Sequence, residues 1–285
     1  MDGVVVVNAD DFGMSRGATL GVIRGHLEGV ITSASLTPTG ADYEHAVRAA
    51  REQCPDLGVG LHFTLSAGRP VSDAADIPLL VGPDGFFRRG FLSLLRALRG
   101  RRDGALLDQI EVELEAQMQK LLASGIRPDH VDSERHVHLI PGIFQRVVLA
   151  ARRHGVPFVR AAYDESLRSV RPRHFGPAVL GGGALKLVVL HRLTRAALAS
   201  VADEELDGVR RCDRFASYVF TGRPDLVFPD LLAHPPGGIT EVMVHPGVPA
   251  ESEGVRLGNP GLERYLVSRD RRRELEACVE ARAHE

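Results

Sequence analysis

The stretch VVVVNA at residues 4–9 is short, apolar and rich in β-branched residues. That composition suits a strand buried on both faces, the situation of strands in a parallel sheet. Comparable units recur along the chain. After DDFGM, Ser15 can cap a helix reaching about Glu28, with Gly29 as its stop signal. A strand is predicted at 31–36 (ITSASL), a helix over 41–53, and a strand at 57–63 (LGVGLHF). Two amphipathic helices follow, near 86–99 and 104–124, and HVDSERHVH at 130–138 reads as the next strand. A helix runs from Pro141 to Gly155, and strands are predicted at 156–160, 215–220 and 239–246. The C-terminal SRDRRRELEACVEARA reads as a solvated helix. Alternating strands and helices imply an α/β fold with a mainly parallel sheet, open or closed into a barrel.

Residues 161–212 break the rhythm. Gly181, Gly182 and Gly183 precede ALKLVVLHRLTRAALASVA, a helix whose apolar positions are interrupted by Lys186, His191, Arg192 and Arg195. The economical reading is one domain over 1–285 with a helical insertion at about 161–212. That helix is an ordinary packing element, an apolar lip beside a substrate, or an element resting at a membrane surface.

Several function classes are excluded or lack support. A net charge of −2 without a long basic run gives no support for nucleic-acid binding. Cys54, Cys212 and Cys278 are odd in number and form no Cys-x-x-Cys pair, which argues for a reducing compartment and against a cysteine metal site. The start MDGVVVVNADD has no basic region before its apolar run, so no signal peptide is expected, and no stretch is apolar enough for a transmembrane helix. The expected location is the cytoplasm. Dinucleotide fingerprints and P-loops are missing.

In parallel α/β folds the C-terminal ends of strands carry the chemistry. Asp10 and Asp11 end the first strand, His62 the third, Arg160 a later one and His245 the last. If HVDSERHVH is a strand, His130, Asp132, Glu134, His136 and His138 all point to one side of it. Each residue alone has a bland reading: an Asp can cap a helix, a His can be a bonded core residue, an Arg can pair a carboxylate. Together, adjacent Asp residues and strand-end histidines match a divalent metal site with an open position.

VNADDFGMS (7–15), GLHF (60–63), HVDSERHVHLIPGIF (130–144) and EVMVHPG (241–247) resemble, in order and spacing, the motifs of the YdjC-like carbohydrate deacetylase family. Residues 161–240 resemble more closely its branch associated with hopanoid glycolipids. The resemblance implies a distorted (β/α) barrel and one divalent metal ion, Mg or Zn with Mn as a further candidate. The implied reaction is removal of the acetyl group from an N-acetylated amino sugar, oligosaccharide or glycolipid. It further implies Asp11 and His62 as metal ligands, Asp10 as the general base and His245 as the acid. Arg160 would orient the base, and Asp132, His136 and His138 would contact substrate. A homodimer is compatible with the sequence.

One position departs from the family pattern, His-x-Asp-Ser-His-His-His-x-His. The third ligand is the histidine after Ser, where this chain has Glu134 followed by Arg135. Three readings stay open: Glu134 holds the metal, His136 replaces it, or the protein is a weak or inactive relative that binds sugar in a regulatory role.

Overall fold

Seven strands form one sheet in the order β5-β4-β3-β2-β1-β7-β6, in a computed structural model that describes residues 3–98, 104–165, 183–216 and 220–282. They are β1 (Gly3–Phe12), β2 (Ser33–Leu36), β3 (Gly58–Phe63), β4 (His130–Ser133), β5 (Phe158–Val159), β6 (Arg214–Ala216) and β7 (Gly238–Val244). Every pairing is parallel. The apolar run of β1 starts at a half-exposed Val4 and is buried continuously from Val7, as a central strand requires.

The sheet curls until its edges touch. Val159 donates to the Arg210 carbonyl at 2.9 Å and Phe215 to that of Tyr163 at 3.1 Å. These contacts form two isolated parallel bridges, Phe158 with Arg210 and Asp164 with Phe215. A closure of two bridges instead of a full ladder makes the barrel a distorted one. β5 is also shorter than the predicted 156–160, because after Val159 the chain turns toward this seam.

The helices α1 (Arg16–Leu27), α2 (Tyr43–Glu52), α3 (Phe91–Ala97), α4 (Gly104–Ala123) and α5 (Pro141–Arg153) fall close to the predicted ranges. They are followed by α6 (Gly183–Leu198), α7 (Phe228–Ala233), α8 (Pro260–Leu266) and α9 (Arg269–Arg282). Ser15 caps α1 as expected, its hydroxyl accepting the Ala18 N–H at 3.2 Å. Gly181 and Gly182 of the glycine run, and residues 217–219 of the predicted 215–220 strand, lie outside the described residues. No helix among the described residues is long and apolar enough to cross a membrane.

The expectation of a solvated C-terminal helix is corrected. Arg271, Glu274, Leu275 and Cys278 are buried on one face of α9. Their spacing of i, i+3, i+4 and i+7 is that of a core-facing stripe. Two of the four are charged, so hydropathy alone conceals the stripe.

The loop after β7 is held between this helix and α1. A Cβ on Gly21 would come within 2.6 Å of the Gly247 backbone, so α1 approaches the loop closely only because position 21 has no side chain. Gly21→Ala is expected to lower stability by about 1–3 kcal/mol, the usual cost of overpacking, measured as a shift of the urea unfolding midpoint.

Candidate active site

The strand end after β1 presents two consecutive carboxylates to the same place. On a regular strand they would face opposite sides. Here the register with β2 shifts between Ala9 and Phe12, and Asp11 takes a left-handed φ of 65°. Such a bulge re-aims side chains at a small local strain. Both carboxylates are buried, and both line one cavity of about 780 Å³.

Below them lies a chain of alternating charges. Arg160, directly after β5, binds Asp10 through both terminal nitrogens at 2.8 and 2.7 Å. Its Nη2 also lies 2.5 Å from Asp132 Oδ2, and its Nε donates to Glu241 Oε1 at 2.7 Å. Asp132 and His62 are register partners on β4 and β3, and His62 Nδ1 donates to Asp132 Oδ1 at 2.7 Å. That bond aims His62 Nε2 at Asp11 Oδ1, 3.3 Å away. Asp11 Oδ2 accepts from the buried Arg271 of α9.

The titrations follow from this order. Burial works against the charge on Asp10 and Asp11, but the guanidinium of Arg160 on the first and of Arg271 on the second hold both well below the usual carboxylate range. Burial likewise opposes the imidazolium of His62, yet Asp132 and Asp11 raise its pKa well above the ordinary value. Burial pushes the Glu134 carboxyl up, against hydrogen bonding from Ser66 and the charge of Arg135.

The predicted strand 130–138 is corrected. β4 stops at Ser133 and the chain enters a tight 3-10 turn, Glu134–Leu139, in which Arg135 and His136 have positive φ values of 52° and 57°. Ser133 ties the turn back on itself: its hydroxyl accepts the His138 N–H at 3.0 Å and lies 2.5 Å from His138 Nδ1. Alternation therefore ends at Asp132. Glu134 and His136 line the cavity; Glu134 accepts from Ser66 Oγ and, at 2.9 Å, from Arg135 Nε. His138 is turned away, its Nε2 donating to the Arg160 carbonyl at 2.8 Å, and burial pulls its pKa down to about 4. His130, at the start of β4, donates to Asp129 at 2.6 Å and lies 2.9 Å from Ser35 Oγ. His245 completes the floor, with Nε2 4.0 Å from Asp10 Oδ2.

The family described as YdjC-like protein matches residues 4–285. The chain belongs to that family. Among similar proteins, a carbohydrate deacetylase from Brevibacillus brevis is 43% identical over 153 residues, 54% of this chain and 57% of that protein. A carbohydrate deacetylase from Geobacillus stearothermophilus is 40% identical over 183 residues, 64% of this chain and 69% of that one. A chitooligosaccharide deacetylase from Salmonella typhimurium is 38% identical over 157 residues, 55% and 58% of the two chains. The matched stretch thus spans little more than half the length of the first of these relatives. A solved structure from Enterococcus faecalis V583, described as a cellobiose-phosphate cleavage protein, superposes with a TM-score of 0.67 at 22% identity, covering 100% of this chain and 95% of that one. It shares the fold.

Asp10, His62 and Asp132 bring donor atoms within 4.8 Å of one another, a spacing compatible with a cation. Arg160 already bridges Asp10 and Asp132, however, and its charge opposes a metal ion between them. The edge formed by Asp11 Oδ1 and His62 Nε2 suits a cation better: Asp132 fixes the imidazole from behind, the carboxylate–histidine arrangement of metal sites, and Asp11 faces the cavity. Sequence reasoning missed Ser66, Glu241, Arg271 and Glu274. For the last two, the stripe on α9 was the available signal.

Asp10 and Asp132 titrate below their unfolded values. The stability they contribute through Arg160 is therefore complete above about pH 4 and is lost as the pH falls below it. Arg160→Met, which strands buried carboxylates, is expected to cost about 3–5 kcal/mol at pH 7. The deficit should shrink as the pH falls, because the variant's stranded carboxylates protonate readily while the wild type loses the Arg160 contribution below about pH 4, in urea unfolding measured across that range.

Proposed function

We propose that the protein is a metal-dependent hydrolase that removes the acetyl group from an N-acetylated amino sugar. The observation that carries this reading is the cavity floor itself. A buried Asp10 locked by Arg160, an Asp11–His62 edge and His245 converge within a few ångströms. The names of the deacetylase relatives support the substrate class.

Asp11, His62 and Glu134 are the residues that would hold the ion. A buried carboxylate whose ionisation is resisted by burial, as at Glu134, is relieved by a neighbouring cation. Two carboxylates and one imidazole favour a harder ion such as Mg or Mn over a softer one. When bound, the ion supplies Lewis-acid polarisation of the amide carbonyl and a more acidic water. Asp10 takes the proton of the attacking water as the C–O bond forms. Arg160 grips both Asp10 oxygens, which fixes the carboxylate's direction. His245 gives a proton to the nitrogen as the C–N bond breaks, because an amine leaves only when protonated. Acetate and the free amino sugar are the products. His136, on the cavity wall, contacts the sugar, while Asp132 acts through His62. The three free cysteines support a cytoplasmic location.

The test is acetate release from N-acetylglucosamine oligosaccharides and lipid-linked N-acetyl sugars with Mg, Mn or Zn supplied. Turnover is expected, with loss on chelation and a drop of about 10²–10⁴ in kcat for Asp10→Asn. Sugar binding without acetate release under all these conditions overturns the reading in favour of a non-catalytic sugar-binding relative.

The cavity rim favours a substrate with an apolar aglycone. Leu92, Leu185 and Val189 line the cavity and are among the few large apolar side chains exposed in the described residues; Leu185 is 71% exposed. A glycolipid would cover this rim, whereas a free oligosaccharide would leave it wet. The double variant Leu185→Asp/Val189→Asp is expected to raise KM about tenfold for a lipid-linked N-acetyl sugar. KM for a soluble chitooligosaccharide should stay within about twofold.

A further inference from the structure

The geometry points to Glu274 of α9 as a positioning residue for His245; this rests on the deacetylase reading above. Glu274 is fully buried, three residues after the equally buried Arg271. That spacing places both on one helix face. Two opposite charges so placed could neutralise each other. Instead each reaches a different residue of the cavity floor: Arg271 binds Asp11, and Glu274 turns to His245. A buried charge is tolerated only where it is paired and hydrogen-bonded, so the partners of these two residues say what they are for.

Glu274 holds the backbone of His245 and faces its ring. Its Oε2 accepts the His245 backbone N–H and lies 3.7 Å from the ring Nδ1. Its other oxygen accepts the Gly222 N–H at 2.7 Å and faces the Tyr265 hydroxyl at 3.4 Å. The carboxylate is thereby fixed from several sides before it meets the imidazole. Tyr265 closes the remaining side, its ring edge-on to His245 with centroids 5.7 Å apart. The Tyr265 ring also lies under the Arg271 guanidinium at 4.5 Å.

This arrangement decides which nitrogen faces the cavity. Nδ1 is buried without a hydrogen-bond partner and faces the Glu274 carboxylate at 3.7 Å, whose charge favours a hydrogen on that nitrogen, while Nε2 lies toward Asp10 Oδ2. The proton delivered to the leaving amine then comes from Nε2, and the neutral ring is left with its hydrogen on Nδ1. Charge balances, since the proton passes from the ring to the leaving nitrogen and Glu274 takes no part in the transfer. A helix outside the barrel thus sets the direction of the acid without touching substrate.

Glu274→Gln keeps an acceptor for the backbone N–H groups and removes the charge, so it tests the claim directly. Leu275→Ala, a buried apolar truncation on the same helix face, reports the cost of loosening the helix alone. At a temperature where all three proteins are folded by circular dichroism, Glu274→Gln is expected to lower kcat about 10- to 100-fold. KM should stay within about twofold, and Leu275→Ala should keep the wild-type kcat. Nitrogen-15 NMR of the His245 ring supplies a readout independent of turnover: the Nδ1–H tautomer dominates in the wild type and loses that preference in Glu274→Gln. An unchanged tautomer, a wild-type kcat in Glu274→Gln, or an equal loss in Leu275→Ala overturns the proposal. If the wild type releases no acetate, the deacetylase reading falls, and the tautomer alone decides the role of Glu274.

Discussion

A single buried guanidinium organises the interior of this barrel. Arg160 touches Asp10 from β1, Asp132 from β4 and Glu241 from β7, while its own backbone N–H donates to Val131 of β4 at 3.0 Å. Three carboxylates brought together without it would repel one another and resist ionisation. With it, each has a fixed direction, and those directions propagate. Asp132 aims His62, His62 meets Asp11, and Asp10 is presented to the cavity with both oxygens held. Arginine suits the role because its planar fork can serve several acceptors at once, which a lysine ammonium on a flexible stem would not do with the same geometry.

The cavity is built in two layers of different character. Its floor is polar, rigid and supplied by strand ends. Its rim carries the exposed apolar side chains Leu92 of α3 and Leu185 and Val189 of α6, beside Lys186 and Arg135. The division follows the usual economy of parallel α/β folds, in which the sheet fixes chemistry and the connecting segments adapt to the ligand. The C-terminal helix departs from it by contributing two buried charges to the floor, from outside the barrel.

Much of this was legible in the sequence, and the failures have physical causes. Runs such as VVVVNA followed by DD, or GVGL followed by His62, mark a strand and its functional end because hydropathy changes sharply there. Asp10, Asp11, His62, Arg160 and His245 were placed at strand ends this way, and the structure brings them together. The turn at Glu134 was not found, because HVDSERHVH alternates like a strand; the left-handed backbone at Arg135 and His136 uses neither glycine nor asparagine, so no residue type announces it. The strand expectation for Asp132 and Glu134 thus joined two residues that sit in different layers of the site. Arg271 and Glu274 were hidden for the opposite reason. Charged residues on a helix usually face water, and the stripe that these two complete with Leu275 and Cys278 is the one sign in the sequence that they do not.

The bulge at Asp11 ties the two adjacent carboxylates into one mechanical unit. They share a peptide bond and a single distortion of β1. Removing or adding one residue there would restore strict alternation and turn one of the two outward. In the proposed chemistry one serves as base and the other as ligand, so a lineage could not relocate either role by small steps along the strand. Glu134, by contrast, stands on its own turn beyond β4, where a substitution leaves the bulge of β1 undisturbed.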